Sequence, residues 1–269
     1  MGSAVGRSLA AAGSHVVVAL EGRSPHSVER ARRAGLEDVG RLEALVERSD
    51  LVLSIVPPAC AVVVATEVAA AMTRTGARSR VLDANAISPG RAREVASVVE
   101  RSGGHYVDGG IVGGPPHPGG RTDLFVSGAE ATSLAAELVT PDLAVTALGP
   151  DPAAASALKM CFAAWTKGTS ALLIAIRAVA QHSGVDEALC ALWERRDADL
   201  VVRSDGAGAV AGRAWRWVDE MTEIARTFEA AGLPGGAAAS AAELYARLSS
   251  FKDTERTPAL EELIAAVTP

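Results

Sequence analysis

In the first half of the chain, short β-branched runs alternate with longer stretches of helical period. Residues 15–20 (HVVVAL) read as a buried strand, and residues 50–56 (DLVLSIV), 80–84 (RVLDA) and 105–108 (HYVD) as a second, third and fourth strand. Helical patterns separate them at 27–34, 59–73 and 89–101, punctuated by Pro25 and Gly35, by Pro57-Pro58 and by Pro89. Residues 122–127 and 144–148 are weaker strands around a helix at 130–138. Strands alternating with helices predict βαβ units and a mostly parallel sheet. Past Gly149 the strand signals nearly vanish. One long Ala- and Leu-rich helix is expected over 153–180, with others at 186–203, 214–231, 237–251 and 258–267. The boundary between an α/β domain, 1–149, and an all-α domain, 150–269, is therefore expected at Gly149-Pro150.

Composition narrows the class. The 269 residues are 49% hydrophobic, 4% aromatic and 22% charged, as in a globular protein with a sizeable core. The net charge of −6 carries no nucleic-acid footprint. No apolar run approaches the ~20 residues of a membrane span. The opening residues carry no basic and apolar pattern, so no secretory leader is expected. Cys60, Cys161 and Cys190 are scattered without any C-x-x-C pair, which suits a reducing cytoplasm. The five histidines show no metal-ligand spacing, so no metal site is expected.

Four features carry candidate chemistry. Residues 2–12 read as a helix stopped by Gly13 before the first strand. Gly2 at its start fits the last glycine of G-x-G-x-x-G, the turn that seats a dinucleotide pyrophosphate on a helix N-terminus. The strand and two glycines that precede it in that pattern are missing. That predicts a gap between the strands at 15–20 and 51–56, with unpaired edges along it. At the end of the strand at 15–20 stand Glu21, Arg23 and Ser24. An acid there suits the ribose 2′-hydroxyl of NAD, and Arg with Ser suits the 2′-phosphate of NADP. The balance favours NADP, with NAD possible.

The third feature is a set of loops at strand C-terminal ends, where open parallel sheets bind ligands: Val56-Pro57, Asn85 with Ser88-Pro89, and Asp108 to Pro116 with Gly113-Gly114. Asn85 offers uncharged donors and an acceptor, and the two glycines let backbone N–H groups approach a ligand. The fourth is Lys159 in the long apolar helix, on one face with Ser156, Ala163 and Thr166. Apolar surroundings lower a lysine's pKa toward proton-transfer work, and Lys167 is the rival. The glycine run 205–212 lies in the helical half with no βαβ unit after it, so it is expected to be a loop between helices.

In this order and spacing the pieces resemble the β-hydroxyacid dehydrogenase and 6-phosphogluconate dehydrogenase superfamily over nearly the whole chain. The resemblance implies a Rossmann-type N-terminal domain, here lacking its first strand, and a helical C-terminal domain that dimerises. It also implies a nicotinamide cofactor, cofactor contacts from Gly2, Glu21, Arg23, Ser24, Val56, Pro57 and Asn85, and substrate contacts from Gly113, Gly114, Ser156 and Ala163. Lys159 matches the catalytic lysine, and hydride passes between the cofactor and a small hydroxy acid or carbonyl. Thr166-Lys167-Gly168 and Arg216-Trp217-x-x-Glu220-Met221 resemble a poorly characterised branch. Ala163 stands where the superfamily usually has Asn, and Asp219-Glu220 where it has Lys-Asp. Those departures leave room for an imine reductase. The truncated fingerprint leaves room for a non-catalytic dinucleotide-binding protein.

Overall fold

The computed structural model describes every residue except 253, 255 and 269. The chain forms two compact units, 1–159 and 160–269. The boundary expected at Gly149-Pro150 lies ten residues before this division, because the first turns of a long helix pack on the first unit.

The first unit opens with α1 (Gly2–Ala11), and Gly13 at φ +101° ends it as expected. There follow β1 (Val17–Val18), α2 (Pro25–Arg33), β2 (Glu37–Asp38), α3 (Leu42–Glu47) and β3 (Leu51–Ser54). Next come α4 (Ala61–Thr75), β4 (Arg80–Asp83), α5 (Pro89–Arg101) and β5 (His105–Val112). The series closes with β6 (Thr122–Ser127), α6 (Ala131–Leu138), β7 (Leu143–Ala147) and α7 (Ala154–His182), the last running across the division between units.

Five strands pair in the order β3-β4-β5-β6-β7, all parallel except β5 with β6. The sheet is mostly parallel, with one antiparallel pair that the sequence pattern did not separate out. β1 and β2 pair with each other alone. Among the described residues nothing joins this pair to the five strands, so the expected gap is present.

The apolar runs at 50–56, 80–84 and 105–108 are explained by burial on both faces. The run at 15–20, expected as a buried strand, forms only the two residues of β1 and is half-buried, because among the described residues nothing in the five-stranded sheet covers it. Val52, Val81 and Tyr106 point into a core with Ala65, Val68 and Met72 of α4 and Val95 and Val99 of α5. Their neighbours Leu82, Val107, Leu124 and Val126 point the other way, against Val5 and Leu9 of α1 and Leu134 of α6. Successive strand residues alternate between faces, so a strand covered on both sides has no polar phase.

Three expected loops or helices differ. Residues 109–112 were expected in a loop but continue β5, held in register with β6. Residues 186–203 form two helices, α8 (Asp186–Arg196) and α9 (Ala198–Asp205), broken at the extended Asp197. The break follows from Arg177 of α7. Its guanidinium takes both oxygens of Asp186 at 2.6 and 3.0 Å, Ser204 at 2.7 Å and Asp205 at 2.8 Å, folding α8 and α9 around one buried cation. The glycine run does not form a loop throughout. α10 (Gly208–Ala230) begins within it, and a Cβ on Gly208 would sit 2.0 Å from the Pro258 carbonyl oxygen. Glycine is there for close backbone packing, not for flexibility. α11 (Gly236–Arg247), a short 3-10 turn (Leu248–Phe251) and α12 (Leu260–Val267) complete the second unit.

Candidate active site

The parallel strands β3, β4 and β5 all end at one edge of the sheet, and the segments leaving that edge carry Val56, Pro57, Asn85, Gly113 and Gly114. Asn85 stitches two of these segments together. Its amide Nδ2 donates to Ser54 Oγ at 3.1 Å, its Oδ1 accepts from Val56 N–H at 2.6 Å, and its own N–H donates to Asp83 Oδ1 at 2.9 Å. It is fully buried. Asn85 therefore shapes the Val56-Pro57 turn from below, and its side-chain groups are committed to protein partners. Asp83 is buried as well, and its Oδ2 has no hydrogen-bond partner. Burial pushes its carboxyl up to about 6, against the opposing pull of the Asn85 hydrogen bonds.

At the end of β1 the chain turns through Gly22 at φ +72°, leaving Glu21, Arg23 and Ser24 exposed. Ser24 Oγ caps α2 by accepting from Ser27 N–H at 3.3 Å. The first turns of α1, α2 and α5 contain no acidic residue, and no side chain caps α1 or α5. Those three helix starts fit the anionic groups of a dinucleotide, which an acid there would repel. Gly2 is exposed, and a Cβ on it would only reach ordinary contact with Ile55 at 3.8 Å. The tight approach is at Gly6, whose Cβ would meet Leu36 at 3.1 Å and Val16 at 3.4 Å. The close packing of α1 on the β1 segment is therefore made at Gly6, one turn after Gly2.

The β5–α7 contact organises the other half of the site. Asp108 has no solvent exposure. Its carboxylate accepts from Ser156 N–H at 2.8 Å, Ser156 Oγ at 2.6 Å and Ser127 Oγ at 3.1 Å. Burial raises its pKa, and these hydrogen bonds oppose the rise. Two residues on, a Cβ at Gly110 would lie 2.7 Å from the Ala155 carbonyl oxygen and 3.0 Å from Lys159 Cβ. Lys159 is half-buried beside this strand. β5 then leaves the sheet into Gly113 at φ +105° and Gly114, whose carbonyl accepts from Thr122 Oγ1 at 2.7 Å. Arg7 of α1 reaches the same loop, donating to Pro116 O at 3.0 Å.

Lys159 thus packs on β5, which runs into the Gly113-Gly114 loop, and Arg7 in the second turn of α1 reaches the same loop. Ser156 is tied to β5 too, but fully buried with its hydroxyl spent on Asp108, so it supports the site without facing a ligand. Ala163 is a buried packing position. Lys167 is placed otherwise, in an ion pair with the buried Glu220 and 5.2 Å from the Trp217 ring centre. Tyr245 packs edge-on to that ring and donates to the Lys167 carbonyl at 2.6 Å. The two stretches 166–168 and 216–221 therefore meet in the helical unit.

The Asp108–Ser156 contact and the close approach at Gly110 were missed, because they join β5 to a helix about 45 residues later in the chain. One signal was available. Of the 26 cationic Lys and Arg residues only three are lysines: Lys159, Lys167 and Lys252. A chain that otherwise uses arginine keeps the cation that can give up a proton at these places.

Residues 1–149 match the NAD binding domain of 6-phosphogluconate dehydrogenase. The chain belongs to that family. Residues 180–248 match a domain of unknown function, DUF1932. No curated protein sequence matches the chain. Among solved structures it is similar to a conserved protein of unknown function, MTH1747, described as structurally similar to 3-hydroxyacid dehydrogenases, at 27% identity. That match covers 93% of each chain with a TM-score of 0.68. It is similar in fold to Mycobacterium tuberculosis 3-hydroxyisobutyrate dehydrogenase with L-serine, at 20% identity, 100% and 96% coverage and a TM-score of 0.71. A Myxococcus stipitatus imine reductase in complex with NADP+ aligns at 17% identity, 93% and 91% coverage and a TM-score of 0.55. The fold and family are those of nicotinamide-dinucleotide-dependent oxidoreductases. Among the described residues no helix is long and apolar enough to cross a membrane.

Proposed function

We propose that this family member is an NAD(P)-dependent oxidoreductase acting on a small hydroxy acid or carbonyl compound, with Lys159 as general acid and base. The observation that carries the reading is the seat of Lys159, half-buried against Gly110 on the strand that runs into the Gly113-Gly114 loop. A bound nicotinamide supplies or accepts the hydride; the protein supplies orientation and a proton. The starts of α1 and α2 would hold the dinucleotide's phosphates, with Gly2 leaving the first of these open. Arg23 and Ser24 would take a 2′-phosphate, which favours NADP over NAD, while Glu21 at the same turn would favour the ribose hydroxyl. Val56 and Pro57 would border the cofactor, held in place by Asn85. The Gly113 and Gly114 backbone would approach the substrate's polar group. Lys159 gives a proton to the developing alkoxide in reduction and takes it back in oxidation.

Arg23→Ala tests the cofactor preference: NADPH affinity falls at least tenfold and NADH affinity changes little. Equal loss of both would remove the preference. An imine substrate is the second reading. It is favoured by Ala163, which is buried and offers no amide one turn beyond Lys159, so part of the polar work falls to the substrate's own nitrogen. Turnover of NADPH with a panel of 2-keto acids, aldehydes and cyclic imines separates the two.

We also propose that the helical unit pairs with a second copy of itself and that the protein works in the cytoplasm. Phe162, Trp165, Leu172 and Val179 are exposed on α7 at spacings of three and seven residues, one apolar stripe on one helix face. A two-fold axis through such a stripe covers it with itself. Leu172→Asp is expected to halve the mass seen by light scattering, and an unchanged mass would exclude this face.

A further inference from the structure

We infer that Asp108 is a positioning residue which, with Gly110, fixes where Lys159 stands by gripping the first turns of α7 from the sheet. The proposal rests on the reading of Lys159 as the proton-transfer group.

The first N–H groups of a helix have no partner within it. In α7 the sheet provides them. Ala155 N–H donates to Ser127 Oγ at 3.0 Å and Ser156 N–H to the Asp108 carboxylate at 2.8 Å, while Ala154 N–H reaches Asp151 O at 3.3 Å. Asp108 and Ser127 are register partners on β5 and β6, so the two caps come from one place in the sheet. The carboxylate also takes the Ser156 hydroxyl at 2.6 Å, and its charge sits at the positive end of a 29-residue helix.

These bonds fix the height of α7 along β5. Gly110 fixes its distance. Asp108 and Gly110 lie on the same face of the strand, two residues apart. The missing side chain at Gly110 leaves the space that Ala155 O and Lys159 Cβ occupy. One contact is at residue 156 and the other at 155 and 159, so together they set both the rise and the rotation of the turn that carries Lys159. A buried carboxylate is costly, and its pKa is raised, yet the ionised group accepts all three hydrogen bonds as charge-assisted ones, with no proton of its own left to place. Misplacing a proton donor by about 1 Å costs on the order of 100-fold in rate.

The experiment uses the whole chain. Its three lysines are reductively methylated with 13C-formaldehyde, and the Lys159 signal is assigned by its loss in Lys159→Arg. The pH titration of that signal is followed in wild type, Gly110→Ala, Asp108→Asn and Ser156→Ala, with Lys252 as internal reference. We expect the Lys159 shift and titration midpoint to move in Gly110→Ala and Asp108→Asn while Lys252 stays fixed. We also expect kcat on the best panel substrate to fall about 10–100-fold, with NADPH affinity within twofold. Asp108→Asn and Ser156→Ala keep the side-chain size, so they carry the test if Gly110→Ala does not fold. An unmoved Lys159 titration in folded variants overturns the proposal. Loss of kcat without any change at Lys159 does so too, since it would mean that Asp108 acts elsewhere. If Lys159→Met retains wild-type turnover, the reading of Lys159 fails instead, whatever the titration shows.

Discussion

Replacing Asp83 by Asn reports on the buried polar layer beneath the candidate site. In the folded protein burial lifts this carboxyl from 3.8 to about 6. At 1.36 kcal/mol per unit, that corresponds to about 3 kcal/mol of destabilisation once the group is ionised. The native state binds its proton more tightly than the unfolded state does. The contribution is therefore neutral below pH ~4, grows unfavourable as pH rises from ~4 to ~6, and is constant above that. Asn keeps the acceptor for Asn85 N–H, bonded at 2.9 Å, and removes the charge. Its amide nitrogen would take the place of Oδ2, which has no partner, at a cost of about 1 kcal/mol. The net expectation is a variant about 1–2 kcal/mol more stable than wild type at pH 7 and no more stable at pH 4. Urea titrations of both proteins at pH 4, 5, 6 and 7 measure the difference, and differencing cancels the other carboxylates. A stability difference that does not change between pH 4 and 7 would refute the reasoning.

Two further substitutions probe the helical unit. Gly208→Ala drives a Cβ into the Pro258 carbonyl, so chemical denaturation should show a loss of about 2–3 kcal/mol; a loss below 0.5 kcal/mol would mean that this approach is not tight. Arg177→Met strands the partly buried Asp186 carboxylate and uncouples α8 and α9, with an expected loss of about 2–3 kcal/mol and faster amide exchange confined to residues 186–205. Unchanged exchange there would assign the folding of α8 and α9 to something other than this cation.

How much was legible varied with the kind of signal. The strands at 51–54 and 80–83 and the helices around them were readable because burial on both faces writes itself as uninterrupted apolar runs. The long α7 was readable from its length and composition. What escaped was set by contacts distant in sequence. Nothing local says that residues 109–112 stay in the sheet: two glycines look like a turn, and only the approach of Leu82 and Asp83 on one side and Ala155 on the other explains them. Gly208 was misjudged for the same reason. The break at Asp197 depends on Arg177, twenty residues earlier. Within the site, residue types were easier to read than roles. Asn85 and Ser156 were recognised as polar groups in the right place, but whether such a group faces a ligand or a neighbour depends on burial, and both are buried.

The central claim is that Lys159 transfers the proton in a nicotinamide-dependent oxidation or reduction. The most direct measurement is NADPH consumption at 340 nm with the panel of keto acids, aldehydes and imines, for wild type and Lys159→Met, beside NADPH affinity by fluorescence. The account predicts turnover by wild type on at least one panel class, a loss of about 100-fold or more in kcat for Lys159→Met, and NADPH affinity within twofold. Wild-type turnover retained by Lys159→Met, or no NADPH binding by the wild-type protein, would contradict it.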